Sequence, residues 1–446
     1  MVPRTQTCLV VLGLSLVFPG LAAGESAAGP VDRSAVRFLA DEYITVYRSP
    51  DPTGVFCYSP GIARCPNGRL VATLTLGGPE ARNLPGAKGH GKGIILTSDD
   101  HGITWTPRHE FHFVHARPFV AGQSLYVLGH RGDLKVLRSD DWGETWSETV
   151  DLTSGQRWHQ APSNVHYARG NIYLVMERVA AKLGAWEPSV MAPVLMRARV
   201  TDDLTQRSSW TFASELVFRD IVDEDKLDYF GVPFFKADRE KGTVLARGRK
   251  VAPIGWCETN VVQILDSNHY WFDPAGRTFH LFMRAHTGGT SFAALAKVVE
   301  GEDGTMTTQL EKMPSGRFAA FVPLPGGQLK FHIVRDEQTR LHWLVSNQAT
   351  DSMTRAERLP ADRFAIPNQE RHRLQLHFSK NCVDWVFAGL VTTGKSAKQA
   401  RNYASMVIDG EDLLILSRSG DENAKSAHDG NLITLHRVRE FRKLVY

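Results

Sequence analysis

Short apolar runs joined by turns, and no long amphipathic stretch, set the pattern of this chain. One phrase recurs: an apolar run, a turn carrying Gly or Asp, then a second apolar run. Ile62-Ala63-Arg64-Cys65-Pro66-Asn67-Gly68-Arg69-Leu70-Val71 shows it in full. It returns about Gly122, between Phe119-Val120 and Leu125-Tyr126-Val127, and about Gly170, ending in Ile172-Tyr173-Leu174-Val175. Further copies sit at Gly276 and Gly410, and a weaker one turns through Asp336-Glu337-Gln338. β-forming residues flanking such turns predict β-hairpins. Six hairpins spaced by roughly 50 to 100 residues predict radially repeated sheets, an all-β six-bladed propeller. The long interval between Gly170 and Gly276 leaves room for a seventh blade but lacks the phrase, and Asp220 to Lys250 within it reads as an inserted loop. The strand Tyr43 to Tyr47 is expected to join the last blade, so 36–446 is read as one domain.

Composition adds two constraints. The net charge of +4 over 446 residues, with no run of Lys and Arg, does not suggest nucleic-acid binding. At the N-terminus Arg4 precedes an apolar stretch from Cys8 to Leu21 and the small residues of Leu21-Ala22-Ala23-Gly24. This is the layout of a signal peptide over 1–24, and its apolar part is shorter than the roughly 20 residues of a membrane helix. The expected product is a secreted or periplasmic protein with no membrane span. Cys57, Cys65, Cys257 and Cys382 then remain, in no zinc-binding spacing; Cys57 and Cys65 either pair or stay as buried thiols. No metal or organic cofactor is implied.

Propeller geometry nominates the site. The start of each innermost strand and the end of the next share one face, so residues flanking each hairpin phrase should line it. Those positions hold Tyr58, His115, Arg117, His130, His159, Glu177, Glu258, Arg284, His286, Lys330, His332, Arg401, Tyr403 and Arg418, with His428 and Asp429 in the last loop. Cations outnumber carboxylates, which suits an anionic ligand, most simply a sugar carboxylate held by Arg.

Two segments sharpen the fold. Ser98-Asp99-Asp100-His101-Gly102-Ile103-Thr104-Trp105 and Ser139-Asp140-Asp141-Trp142-Gly143-Glu144-Thr145-Trp146 share the form S-x-D-x-G-x-T-W. Thr201-Asp202-Asp203 with Trp210, and Ser379-Lys380-Asn381 with Trp385, look like eroded copies. The form resembles the Asp box (BNR repeat) of sialidases and related propellers. In such a turn Asp accepts backbone N–H groups, Gly takes the special dihedral and Trp packs beneath.

The resemblance to exo-α-sialidases is divergent at the catalytic positions. Cys57-Tyr58-Ser59-Pro60 stands where the family has an aromatic-Arg-Ile-Pro phrase, so Tyr58 replaces an Arg. Pro85 to Gly91, where the family carries an Asp acid/base, has no carboxylate, and His90 is the obvious proton carrier there. Cys257-Glu258-Thr259-Asn260, Phe282-Met283-Arg284 and Tyr403-Ala404-Ser405-Met406 match the family's Glu, Arg and Tyr phrases.

The resemblance implies a glycoside hydrolase that removes a terminal acidic sugar from glycans. Tyr403 would be the nucleophile, Glu258 its base, and His428 or His90 the acid/base. Arg284 and Arg117 would clamp the anion, and Lys330 would stand in for another clamp Arg. His115, His159, Arg401, Arg418, Tyr58 and Asp429 would bind an acidic oligosaccharide or polysaccharide. Two alternatives stay open. Related propellers include polysaccharide lyases and rhamnosyl-glucuronate-cleaving enzymes, in which Arg neutralises a uronate and His or Tyr takes the proton beside it. A non-catalytic glycan-binding propeller would tolerate the lost Arg and Asp.

Overall fold

The structure is a computed structural model describing residues 36–87, 91–223, 240–286, 291–359 and 370–446. The signal-peptide reading and His90 lie outside these residues. From Phe38 to Tyr446 the chain forms one compact unit.

Six antiparallel sheets follow one another along the chain, and each predicted hairpin is the inner half of one. Blade 1 holds the strands Phe56–Arg64, Leu70–Gly77, Gly93–Ser98 and Thr106–Phe111 in that order from the axis outward. The inner strands of blades 2, 4, 5 and 6 are Val114–Ala121, Gly255–Val262, His332–Arg335 and Arg401–Asp409. In blade 3 the inner strand is split into Trp158–His159 and His166–Ala168, both paired with Asn171–Val179. Blade 6 takes its outermost strand, Ile44–Arg48, from the other end of the chain, where it pairs with Leu432–Val438. The interval after blade 3 builds no seventh blade among the described residues. It holds the single helical turn Phe218–Ile221 and a small hairpin, Thr243–Ala246 with Arg249–Val251.

Packing explains why six sheets close into a ring. The buried side chains fall into six clusters, and each is shared by two neighbouring blades. Phe119 and Leu128 of blade 2 meet Ile172 and Met196 of blade 3. Leu74 of blade 1 meets Leu416 and Ile433 of blade 6, together with Val46 of the closing strand. Every sheet thus buries both faces, so the strands read as near-continuous apolar runs. The four described cysteines are buried and unpaired, Cys57 between blades 6 and 1 and Cys65 between blades 1 and 2. Adding a reductant should therefore leave the Tm of the folded protein unchanged, readable by calorimetry.

The two Ser-x-Asp-x-Gly-x-Thr-Trp turns share one bonding scheme. Asp100 accepts from Thr104 N at 2.9 Å and Thr104 Oγ1 at 2.6 Å, Ser98 Oγ accepts from Gly102 N at 2.8 Å, and Trp105 Nε1 donates to Gly102 O at 3.0 Å. Asp141, Ser139 and Trp146 repeat each bond in blade 2. Gly102 and Gly143 sit at φ 88° and 98°, where a Cβ is disfavoured. In blade 5 Asn381 takes the place of Asp, accepting from Val383 N and Asp384 N. Leu70 pairs with Arg64 on one side and Ser98 on the other, which puts the first turn at the far end of the blade from Phe56 and Gly77.

The Thr104 donors hold the Asp100 carboxyl down to about 2. Its stabilising effect is present above the ordinary carboxylate pKa and is lost as pH falls through about 2. Asp100→Ala should cost about 1 kcal/mol, kept small by solvent exposure, and should lower the urea midpoint with the m-value unchanged.

Candidate active site

One backbone irregularity, repeated in four blades, builds the site. In blades 1, 2, 4 and 6 the inner strand carries one residue more than its partner. Tyr58 to Gly61 spans Thr75 to Thr73, Val114 to Arg117 spans His130 to Leu128, Cys257 to Asn260 spans Arg284 to Phe282, and Asn402 to Ser405 spans Arg418 to Leu416. Within each bulge one non-glycine residue has a positive φ: Ser59 at 48°, His115 at 55°, Glu258 at 60° and Tyr403 at 50°. Bulges re-aim side chains, and non-glycine residues held in this region cluster at functional sites. Each blade therefore offers two equivalent positions, the bulge residue and a residue of the second strand. The pairs are Ser59 and Thr75, His115 and His130, Glu258 and Arg284, Tyr403 and Arg418.

Blades 4 to 6 bring Tyr403, Glu258 and Arg284 together. Tyr403 Oη donates to Glu258 Oε1 at 2.7 Å, and Arg284 donates one Nη1–H to Tyr403 Oη at 3.0 Å. Arg284 lies 3.5 Å from both carboxylate oxygens of Glu258, and its Nε donates to Gln328 O at 3.0 Å. The Arg371 and Arg418 guanidinium groups lie 5.4 and 5.1 Å from the centre of the Tyr403 ring. Trp186 covers Arg284 at 5.1 Å. Burial and the Glu258 charge push the Tyr403 phenol up to about 12 against the pull of Arg284, Arg371 and Arg418. Burial works against the Arg284 charge, but Tyr403 and Glu258 outweigh it and hold its pKa above the usual value. Burial brings Arg371 down to about 10, leaving it charged at neutral pH.

A second group adjoins the first through Arg418. Its guanidinium lies 4.3 Å over the Tyr58 ring, and one nitrogen donates to His428 O. Tyr58 Oη and His428 Nδ1 both bond Asp429 Oδ1, each at 2.7 Å. His428 and Tyr58 hold the Asp429 carboxyl below its usual range although burial opposes them. Partial burial and the Arg418 charge push the His428 imidazole down to about 4. Tyr58 is thus a stacking platform that Arg418 reaches across the interface between blades 6 and 1.

His115 and His159 belong to a third group. His115 Nδ1 lies 3.2 Å from His130 Nε2, and the His159 ring is 5.5 and 5.9 Å from these two. Burial first, then neighbouring positive charge, brings His115 to about 3. His159 also reaches Glu177, 3.4 Å away. No group of metal-ligating residues is found among the described residues.

Two expected clamps and one expected substrate contact are placed elsewhere. Lys330 is 1% exposed, and its Nζ is spent on Ala404 O and Ser405 Oγ behind Tyr403. Arg117, 2% exposed, donates to Val175 O and makes no contact with Tyr403, Glu258 or Arg284 among the described residues. Arg401 packs 5.0 Å over Tyr43 and gives its donors to Ala400 O and Gly420 O. Arg371, absent from the sequence candidates, stands in the cluster. It precedes the third strand of blade 5, Arg373–Ser379, and not an inner hairpin. The run Glu370-Arg371-His372-Arg373 is the signal that marks it.

Structural comparison places the fold among known propellers. A Hadza microbial sialidase is similar over 89% of this chain and 68% of its own, at 14% identity and a TM-score of 0.51. A Trypanosoma rangeli sialidase in complex with sialic acid is similar over 90% of this chain and 59% of its own, at 12% identity and a TM-score of 0.50. The fold is that of a sialidase-like six-bladed propeller. A Dyadobacter fermentans protein of unknown function shares this sialidase-like fold over 89% of this chain and 98% of its own, at 14% identity and a TM-score of 0.50. No protein-family model and no curated protein matches the sequence. Among the described residues no helix is long and apolar enough to cross a membrane.

Proposed function

We propose that this protein is an exported glycoside hydrolase that removes a terminal acidic sugar from a glycan. The observation that carries the reading is the Tyr403–Glu258 hydrogen bond of 2.7 Å, enclosed by the guanidinium groups of Arg284, Arg371 and Arg418. Both neighbours named as sialidases support it at the level of fold. A sugar carboxylate docks on the Arg groups, whose planar forks match it. Tyr403 Oη attacks the anomeric carbon and passes its proton to Glu258 as the glycosidic bond breaks. A phenol activated by a carboxylate attacks without the repulsion that a carboxylate nucleophile would meet beside the substrate's own charge. His428, oriented by Asp429, gives a proton to the leaving oxygen and then takes one from the water that displaces Tyr403, while Glu258 returns its proton to the departing Tyr403 oxygen.

This role makes a pH prediction. In the free enzyme the His428 imidazolium is lost above about pH 4, so kcat/KM should fall as pH rises past that value. A bound carboxylate offsets Arg418, so the corresponding limb of kcat should lie at higher pH. His428→Gln should flatten both limbs in steady-state kinetics.

A second reading, elimination from a uronate, is favoured by the trio His115, His130 and His159, in which burial keeps His115 and His130 unprotonated and so able to accept a proton, though as weaker bases than a free imidazole. The test is a panel of sialylated and uronic-acid glycans incubated with the mature protein, with products read by mass spectrometry and ultraviolet absorbance. Release of a saturated acidic monosaccharide supports the hydrolase. An unsaturated uronate replaces it with the lyase, and binding without turnover leaves a glycan-binding propeller.

A further inference from the structure

The propeller axis holds a second polar centre that the proposed reaction does not use. One register position past each bulge residue and its neighbour, the inner strands carry Gly61, Arg117, Asn260 and Ser405. Gly61, Arg117 and Ser405 line a cavity of about 190 Å³ that runs along the axis beside Ser163, Asn164 and His332. Its walls are otherwise largely apolar, including Ile62, Phe119, Val334 and Val407.

Arg117 is 2% exposed, and of its three nitrogens only Nη2 has a partner, Val175 O at 3.0 Å; Nε and Nη1 have none among the described residues. Lys330 is a second buried basic group close by, held by Ala404 O and Ser405 Oγ, and burial brings it down to about 7, so it is only partly charged at neutral pH. Neither forms an ion pair among the described residues. Glu177, the carboxylate that acts on Arg117, turns one oxygen to Thr259 N and Oγ1, at 2.9 and 2.8 Å, and the other toward His159. Buried donors of this kind need an acceptor, and a buried guanidinium needs negative charge as well.

We propose that the axial cavity binds one small monovalent inorganic anion of the halide class, held by Arg117 Nε and Nη1. The apolar walls select a weakly hydrated anion, because a multiply charged one would lose more hydration than one guanidinium and a partly charged amine return. The site is separate from the Arg284, Arg371 and Arg418 cluster, and it stands whether or not the glycosidase reading does.

The experiment uses the full mature protein. Crystals soaked in sodium bromide should show an anomalous peak within hydrogen-bonding reach of Arg117 Nε or Nη1. Replacing sodium gluconate by sodium chloride at constant ionic strength should raise Tm by about 2 °C or more, as expected for a ligand bound by the folded state alone. In Arg117→Met the chloride-dependent shift should vanish, whereas Arg418→Met should keep it, which separates the axis from the cationic mouth. If Arg117→Met does not fold, the bromide peak in the native protein decides. The proposal is overturned by bromide density confined to the mouth, by water alone beside Arg117, or by a Tm shift that survives in Arg117→Met.

Discussion

Tyr403→Phe is expected to lower kcat on the acidic glycan by at least about 1,000-fold while leaving substrate binding within a few-fold of the native value. The separation follows from geometry. Only the hydroxyl engages Glu258 and Arg284, whereas the ring that Phe retains is what Arg371 and Arg418 face. Phe also keeps the packing of a residue already at φ 50°, so the fold should survive, which circular dichroism would show. Glu258→Gln should cost about 100- to 10,000-fold, the range for a lost general base. The double variant should be little worse than Tyr403→Phe alone, because the two groups act as one unit. Rate losses that multiply in the double variant, or a Phe variant with near-native kcat, would remove Tyr403 from the chemistry. Single-turnover kinetics on whichever glycan the panel identifies is the measurement.

The second large effect is expected at Arg418. Its planar group spans the Tyr58 and Tyr403 rings at 4.3 and 5.1 Å and bonds His428 O. Lys keeps the charge but loses the plane and the fork. Arg418→Lys should therefore raise KM for an acidic substrate by about 10- to 100-fold, the equivalent of about 1.4 to 2.7 kcal/mol. It should change turnover of a substrate whose carboxylate has been converted to an amide much less. An equal loss on both substrates would mean that Arg418 supports the fold of the site and does not read charge.

Much of the architecture is legible in the sequence, and the reasons are local. Gly68, Gly122, Gly170, Gly276 and Gly410 each turn a hairpin at positive φ, and apolar runs flank them because every sheet is buried on both faces. The closing strand follows from the same apolar pattern at Tyr43 to Tyr47. Within the site, Glu258, Arg284 and Tyr403 are nominated by phrases that flank these hairpins. What lies outside that grammar is hidden. Arg371 enters from the segment just ahead of the third strand of its blade, where no hairpin phrase points inward. Tyr58 and Asp429 meet across nearly the whole chain, so their bond has no local signature. The bulges are silent because residues other than glycine occupy their positive-φ positions, and the bulge is what sets the aim of Glu258 and Tyr403. Arg117 and Arg401 follow the hairpin rule yet serve the interior, since flanking a hairpin does not fix whether a side chain reaches the mouth or the axis.

The strand borrowed by blade 6 has a consequence for how the molecule comes together. Thr45 finds its place opposite Thr434, so the last seam of the ring joins segments separated by almost the whole propeller. Blades 1 to 5 have all their strands before that seam exists, but the faces of blades 1 and 5 that pack on blade 6 stay wet until it arrives. Closure is then the step with the longest loop entropy to overcome. Once made, it buries the last two open faces together. Contacts made at this seam form after the rest of the ring is built, so they act chiefly on the rate of opening.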